Sequence, residues 1–224
     1  MAQLFEHKFL PNLSLERVEI DGKRFYVTPS GEKYPSVTSV LSSLSKKGIQ
    51  EWRDRIGHEQ ANKITAQAAN RGTKLHKIME DYVLNKSDYL ANANPVSKML
   101  FRQLKPRVDA SITEVMGVEL FLYSDVLKTA GSCDVFCKYD GHPCVADYKT
   151  SKSLKKEEWI KSYFLQSTAY AMMIEERYNL EVPYIAILIA VEDDQPQVFF
   201  KRKDDYISEV MTIFKSYHLN QSKS

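Results

Sequence analysis

Two short strings decide how this chain is read: Gly131-Ser132-Cys133-Asp134 and, thirteen positions after that aspartate, Asp147-Tyr148-Lys149. The residues around them alternate between polar and β-branched or aromatic types, the period of a strand. Successive side chains of a strand point to opposite faces, so Asp147 and Lys149 share one face. Asp140-Gly141 supplies a turn that folds the preceding strand back and brings Asp134 towards Asp147. Two carboxylates that would repel each other in an otherwise apolar strand pair make sense, beside a lysine, around a divalent cation. Oxygen ligands suit Mg²⁺ or Mn²⁺, and an adjacent ammonium can activate water or offset charge on a phosphate. An isolated Asp-x-Lys is also common by chance, and two solvated acids at strand ends give the same string.

Working outward, Glu114 to Tyr123, Val126 to Tyr139 and Pro143 to Lys149 read as a three-stranded meander, joined at Ser124-Asp125 and Asp140-Gly141. Lys155 to Tyr178 lacks Gly and Pro and places Trp159, Tyr163, Gln166, Tyr170 and Met173 on one face, which predicts a long amphipathic helix. Pro183 opens a buried strand, Tyr184 to Val191. A short strand at Gln197 to Lys201 and a helix from Asp204 to His218 follow, with a polar tail after Leu219 expected to be disordered.

Upstream, a helix is expected from Pro95 to Asp109 and an amphipathic one from Thr73 to Leu84, starting after Gly72. Gln50 to Asn70 is helical in pattern but polar, another helical stretch begins at Ser36, and a hairpin runs from Arg17 to Ile20 and Arg24 to Thr28 around Asp21-Gly22. No repeat or linker interrupts the 224 residues, so they are expected to form one domain. Its parts are a hairpin and helical region over 1–70, a core over 71–201 and a C-terminal helix and tail over 202–224.

Thirty-one Lys and Arg against 29 Asp and Glu leave a net charge of +2, so any polyanion-binding surface must come from local clustering. At 43% hydrophobic residues the chain can bury a core, and its longest uncharged apolar run is too short to span a bilayer. Cys133, Cys137 and Cys144 contain no CxxC pair, which favours buried reduced thiols over a metal site. The N-terminus carries an acid and no arginine, which argues against an organellar transit peptide, and a cytoplasmic protein is expected.

Further polar residues gather by spacing. His76 has Glu80 one turn on, with Arg71, Lys74 and Lys77 around it, either a solvated helix face or a phosphate-facing one. Gln166 and Tyr170 are likewise a turn apart, and Gln166 either serves a site or satisfies backbone of the meander. Together Gly72-x3-His76, Gly131-x2-Asp134, Asp147-Tyr148-Lys149 and Gln166-x3-Tyr170 resemble, in order and spacing, the RecB-like exonuclease branch of the PD-(D/E)XK nuclease superfamily, which includes phage exonucleases and the mitochondrial genome maintenance exonuclease.

The resemblance covers about Pro35 to Val191. It implies an α/β fold with a restriction-endonuclease-like core, a mixed central β-sheet flanked by helices and a helical N-terminal region. It implies a metal shell of His76, Asp134, Asp147 and the carbonyl of Tyr148, a catalytic Lys149, and Glu119 as a further carboxylate. Gln166 and Tyr170 would lie near DNA, with Arg71, Lys74, Lys152, Lys155 and Lys156 on its backbone. The expected activity is Mg²⁺- or Mn²⁺-dependent hydrolysis of DNA from its ends, in replication, recombination or repair, without an iron–sulfur cluster. A structure-specific endonuclease and an inactive DNA-binding relative are the alternatives, with a small-molecule phosphatase or nucleotide-binding enzyme behind them because no phosphate-loop or zinc-protease string is present.

Overall fold

The computed structural model describes residues 4–221. A two-residue strand, β1 (Glu6–His7), is followed by β2 (Glu16–Ile20), β3 (Lys23–Val27) and β4 (Lys33–Pro35), which form a small antiparallel sheet. Asp21 and Gly22, at φ 52° and 68°, close the expected hairpin. Ser36 caps α1 (Val37–Ile56), its Oγ accepting the Ser39 N–H at 3.0 Å.

The next helix differs from the expected one. Instead of starting after Gly72, α2 (His58–Val83) runs straight through it, and the break lies at Gly57, whose φ of 88° a side chain would resist. A Cβ at Gly72 would meet nothing within 4 Å, so that glycine costs the helix only its propensity, about 1 kcal/mol. The second helix in sequence therefore joins the polar stretch and the amphipathic one. α3 (Pro95–Ser111) follows, capped by Asn94 with proline in its first turn.

β5 (Ile112–Ser124), β6 (Thr129–Tyr139) and β7 (His142–Ser151) are the meander. Residues 126–128, expected at the start of the middle strand, form its turn instead, with Lys128 at φ 49°. The long helix predicted from Lys155 is a 3₁₀ turn, Glu157–Ile160, leading into α4 (Lys161–Tyr178). Trp159 is thereby swung out of the apolar face to 62% exposure. β8 (Tyr184–Val191), β9 (Gln197–Arg202) and α5 (Asp204–Gln221) complete the chain. Helix continues through Asn220 and Gln221, where a disordered tail was expected; the rest of that tail lies outside the described residues.

The large sheet has the order β1-β5-β6-β7-β8-β9. β5, β6 and β7 are antiparallel, and β7 and β8 run parallel because α4 carries the chain across between them. On one face Val40, Phe164, Met173, Ile187 and Phe214 pack α1, α4 and α5 against the strands. On the other, Leu75, Met79, Leu104, Tyr148 and Leu188 seat α2 and α3. This is the expected α/β class, a mixed central sheet flanked by helices with a helical N-terminal region, as a restriction-endonuclease-like core requires. Cys133, Cys137 and Cys144 are free and buried between the layers, where desolvation raises their thiol pKa values. Among the described residues no helix is long and apolar enough to cross a membrane.

Candidate active site

β6 and β7 pair from Tyr139–His142 as far as Val135–Ala146 and then part. β6 stays with β5 down to Thr129, while β7 stays with β8 up to Ser151. Asp134 and Asp147 are the first residues beyond the last shared pair. There Asp134 Oδ2 accepts the Tyr148 N–H at 2.8 Å, so a carboxylate stands in for the missing strand. The sheet is split at this point, and side chains from both of its faces reach the opening.

From the α2 side comes His76, held in place by its buried neighbours Leu75, Ile78 and Met79. Its Nε2 lies 2.5 Å from the Tyr148 carbonyl oxygen and its Nδ1 3.6 Å from Asp134 Oδ2. From β5 comes Glu119, just past register shifts between Ile112 and Glu114 and between Val115 and Gly117. Glu119 has a φ of 44°, strained for a glutamate, and Ser132 Oγ donates to its Oε2 at 3.0 Å. One ligand atom each from His76, Glu119 and Asp134 all lie within 4.8 Å of one another. Glu119 keeps contact with solvent, yet crowding by neighbouring atoms, with Asp134 close by, raises its pKa.

Asp147 is 2% exposed, and burial pushes its carboxyl up to about 6 against the opposing pull of Lys149. The two side chains form an ion pair, although Asp147 Oδ2 receives no well-oriented hydrogen bond. Burial alone would lower the Lys149 pKa; the carboxylates of Asp147 and Asp134 outweigh it, and the ammonium is raised. Lys149 Nζ also lies 5.1 Å from the centre of the Tyr163 ring, a cation–π partner that alternation in β7 could not reveal.

These residues fit a hard divalent cation. The donors are carboxylate and carbonyl oxygens with one imidazole, the oxygen-rich set that such an ion takes. Of the residues expected in one site, His76, Glu119 and Asp134 offer ligand atoms to a common point and His76 and Asp134 contact the Tyr148 backbone, whereas Asp147 lies outside that group and faces Lys149.

The remaining candidates differ in kind. Arg71 is committed to the protein: Nη1 pairs with Glu192 at 2.7 Å and Nε donates to Thr150 Oγ1 at 3.2 Å. Lys74, Lys152 and Lys156 are exposed, and Lys156 lies over the Trp159 ring. Lys155 is tied through its backbone to Gln197. Gln166 is half-buried on α4 and its side-chain amide makes no hydrogen bond among the described residues, so it does not serve the meander backbone. Tyr170 is buried behind Gly131, where a Cβ would come within 2.8 Å of its hydroxyl oxygen. Glycine at 131 is therefore what lets α4 approach the strand.

Comparison with known proteins finds distant similarity only. No protein-family model matches the sequence. The chain is 25% identical over 175 residues to mitochondrial genome maintenance exonuclease 1 of Homo sapiens, covering 72% of this chain and 50% of that protein. The Mus musculus protein of the same name is 25% identical, with 72% and 51% covered. The chain thus spans about half the length of the curated relatives it matches. A crystal structure described as an exonuclease from Eubacterium rectale overlaps loosely, with a TM-score of 0.45 at 10% identity over 65% of this chain and 64% of that one.

Proposed function

We propose that this protein is a divalent-metal-dependent deoxyribonuclease of the RecB-like PD-(D/E)XK type, an exonuclease that hydrolyses DNA from its ends during replication, recombination or repair. The observation that carries this reading is the split between β6 and β7, where Asp134, Asp147, His76 and the Tyr148 carbonyl meet beside Lys149. Distant similarity to proteins named as exonucleases supports it.

His76, Asp134, Asp147 and the Tyr148 carbonyl would hold Mg²⁺ or Mn²⁺, with Glu119 as a further carboxylate at its edge. Such an ion, when bound, supplies Lewis-acid polarisation of the scissile phosphate and a more acidic water. Lys149, oriented by Asp147 and the Tyr163 ring, positions the attacking water or offsets the charge that grows on the phosphate. Asp134 fixes the backbone of Tyr148 and so the direction of its carbonyl. Lys74, Lys152 and Lys156 contact DNA phosphates without reading bases, and Gln166 offers an unengaged amide to the substrate.

Digestion of end-labelled linear and circular DNA, single- and double-stranded, tests the reading in Mg²⁺, in Ca²⁺ and in EDTA. Cleavage of linear DNA alone, needing Mg²⁺ and poorly supported by Ca²⁺, is the expected result. Nicking of circles would make it a structure-specific endonuclease; binding without cleavage, an inactive relative; undiminished cleavage in EDTA after metal stripping would remove the metal from the mechanism.

A further inference from the structure

Immediately beyond Glu119 the surface holds a pocket of about 290 Å³ that the chemistry just described does not use. Its walls are Leu84 at the end of α2, Val118 and Leu120 on β5, and Phe9 and Leu10 from the segment after β1. Glu80, one helical turn from His76, and Asn12 supply its polar atoms. The pocket and the acidic cluster therefore share a wall: α2 contributes His76 to one and Glu80 to the other, and β5 contributes Glu119 between Val118 and Leu120.

Three features say what belongs there. Gly117 lets the Leu120 side chain lie close over the strand as part of the pocket's floor, because a Cβ at that position would come within 2.9 Å of it. Phe9 is 50% exposed, yet its ring is stacked on His7, with centroids 4.8 Å apart and planes 24° from parallel. His7 is in turn anchored, its Nε2 2.8 Å from the Val83 carbonyl oxygen, so Phe9 is a braced aromatic platform rather than a loose side chain. Asn12 is locked to β5, its Oδ1 accepting the Phe121 N–H at 3.0 Å and its Nδ2 donating to the Glu119 carbonyl at 3.5 Å, and it lines the pocket in that fixed position. With no lysine or arginine among its lining residues, and with Glu80 paired to Lys77 at 3.0 Å, the pocket offers phosphate no cation. A flat, neutral, partly apolar ring with polar edges is what it accepts.

We propose that this pocket seats one nucleobase of the DNA, that of the terminal nucleotide beside the bond being cut, with Phe9 stacking on its face. The proposal rests on the nuclease reading, since it needs a DNA end at the acidic cluster. Stacking on a ring face tolerates any base, which suits an enzyme that must advance through every sequence. Phe9 is thus a positioning residue: it fixes where the terminal sugar–phosphate lies relative to Lys149 without touching the reacting atoms.

The experiment uses oligonucleotides carrying 2-aminopurine at the 5′ end, the 3′ end or an internal position, mixed with protein in Ca²⁺, with anisotropy of a separate dye reporting binding. Fluorescence at one terminal position should fall severalfold on binding; Phe9→Ala should remove most of that change and Phe9→Trp restore it. In Mg²⁺, Phe9→Ala should raise KM about tenfold, and a substrate with an abasic terminal nucleotide should lose that much with wild type and nothing further with the variant. Binding with equal fluorescence in wild type and Phe9→Ala, or with no terminal response at either end, overturns the base pocket and leaves the nuclease reading standing. Absence of any DNA binding overturns both.

Discussion

The two halves of β7 make an instructive pair. From Cys144 to Ala146 the strand is hydrogen-bonded to β6 on one side and β8 on the other, and every side chain is an apolar or thiol group buried in the core. From Asp147 to Ser151 it keeps only β8, and its side chains include Asp147 and Lys149. Burial does not change at the boundary itself, since Asp147 and Tyr148 are both 2% exposed, and it falls only at Lys149 and Thr150. What differs is the backbone: where β6 leaves, the Tyr148 N–H and C=O become available to side chains, and Asp134 and His76 take them. The opening lets polar groups from both faces of the sheet meet in a place that a continuous ladder would have closed. The ion pair with Lys149 offsets part of the cost of burying Asp147.

The strongest test of this contrast lies in the open half. Lys149→Ala should slow single-turnover cleavage about 10²–10⁴-fold, while DNA affinity, carried by several other basic residues, stays close to wild type. A near wild-type rate would remove Lys149 from the chemistry. Asp147→Asn should act on metal binding as well. Mn²⁺ at ten times its Kd should raise the wild-type Tm by about 3–6 °C, and the variant should show less than half of that shift by calorimetry; an equal shift would place the ion elsewhere.

A smaller effect is expected on the β6 limb of the opening. Gly131→Ala pushes a methyl group into Tyr170, an overpacking that should cost about 1–3 kcal/mol. Adding Tyr170→Phe removes the contacted oxygen and should recover part of the loss in urea unfolding; no recovery would mean the strain lies in the strand. The smallest effect belongs to the continuous edge of the sheet. Glu114, buried where β1 meets β5, is held below its ordinary pKa of 4.5 by Lys8, with Lys138 also pairing to it. A carboxyl with a depressed folded-state pKa contributes stability that is fully present above the unfolded value and lost as pH falls through the folded one. Lys8→Met should therefore lower Tm by about 1–2 °C at pH 7, and the difference should vanish as the pH is taken well below 4.5. A difference that persists in acid would mean Lys8 acts through packing.

Much of this architecture was legible because it is local. Period-two alternation and the Asp140-Gly141 turn defined the β6–β7 hairpin, and once its register was set Asp134 and Asp147 had to approach each other. Helical spacing put His76 and Glu80 on one side of α2. The errors were local too. Gly72 looked like a boundary because glycine often ends a helix, yet only Gly57 has the positive φ that makes one. Trp159 looked like a core residue because its spacing to Tyr163 fits an α-helix, and a 3₁₀ turn broke that phase.

Residue types and short-range spacing thus determined the strand order, the acid pair and the lysine beside it, because those follow from backbone periodicity, while His76 was tied to the site only by the resemblance of its motif. Tertiary structure alone decided that β6 and β7 part after Ala146, that Glu119 is turned at φ 44° towards His76, and that Arg71 is spent on Glu192, 121 residues away. Those outcomes depend on which chain segments compete for the same backbone groups and charges. That competition exists only once distant segments pack together, so no window of sequence contains it.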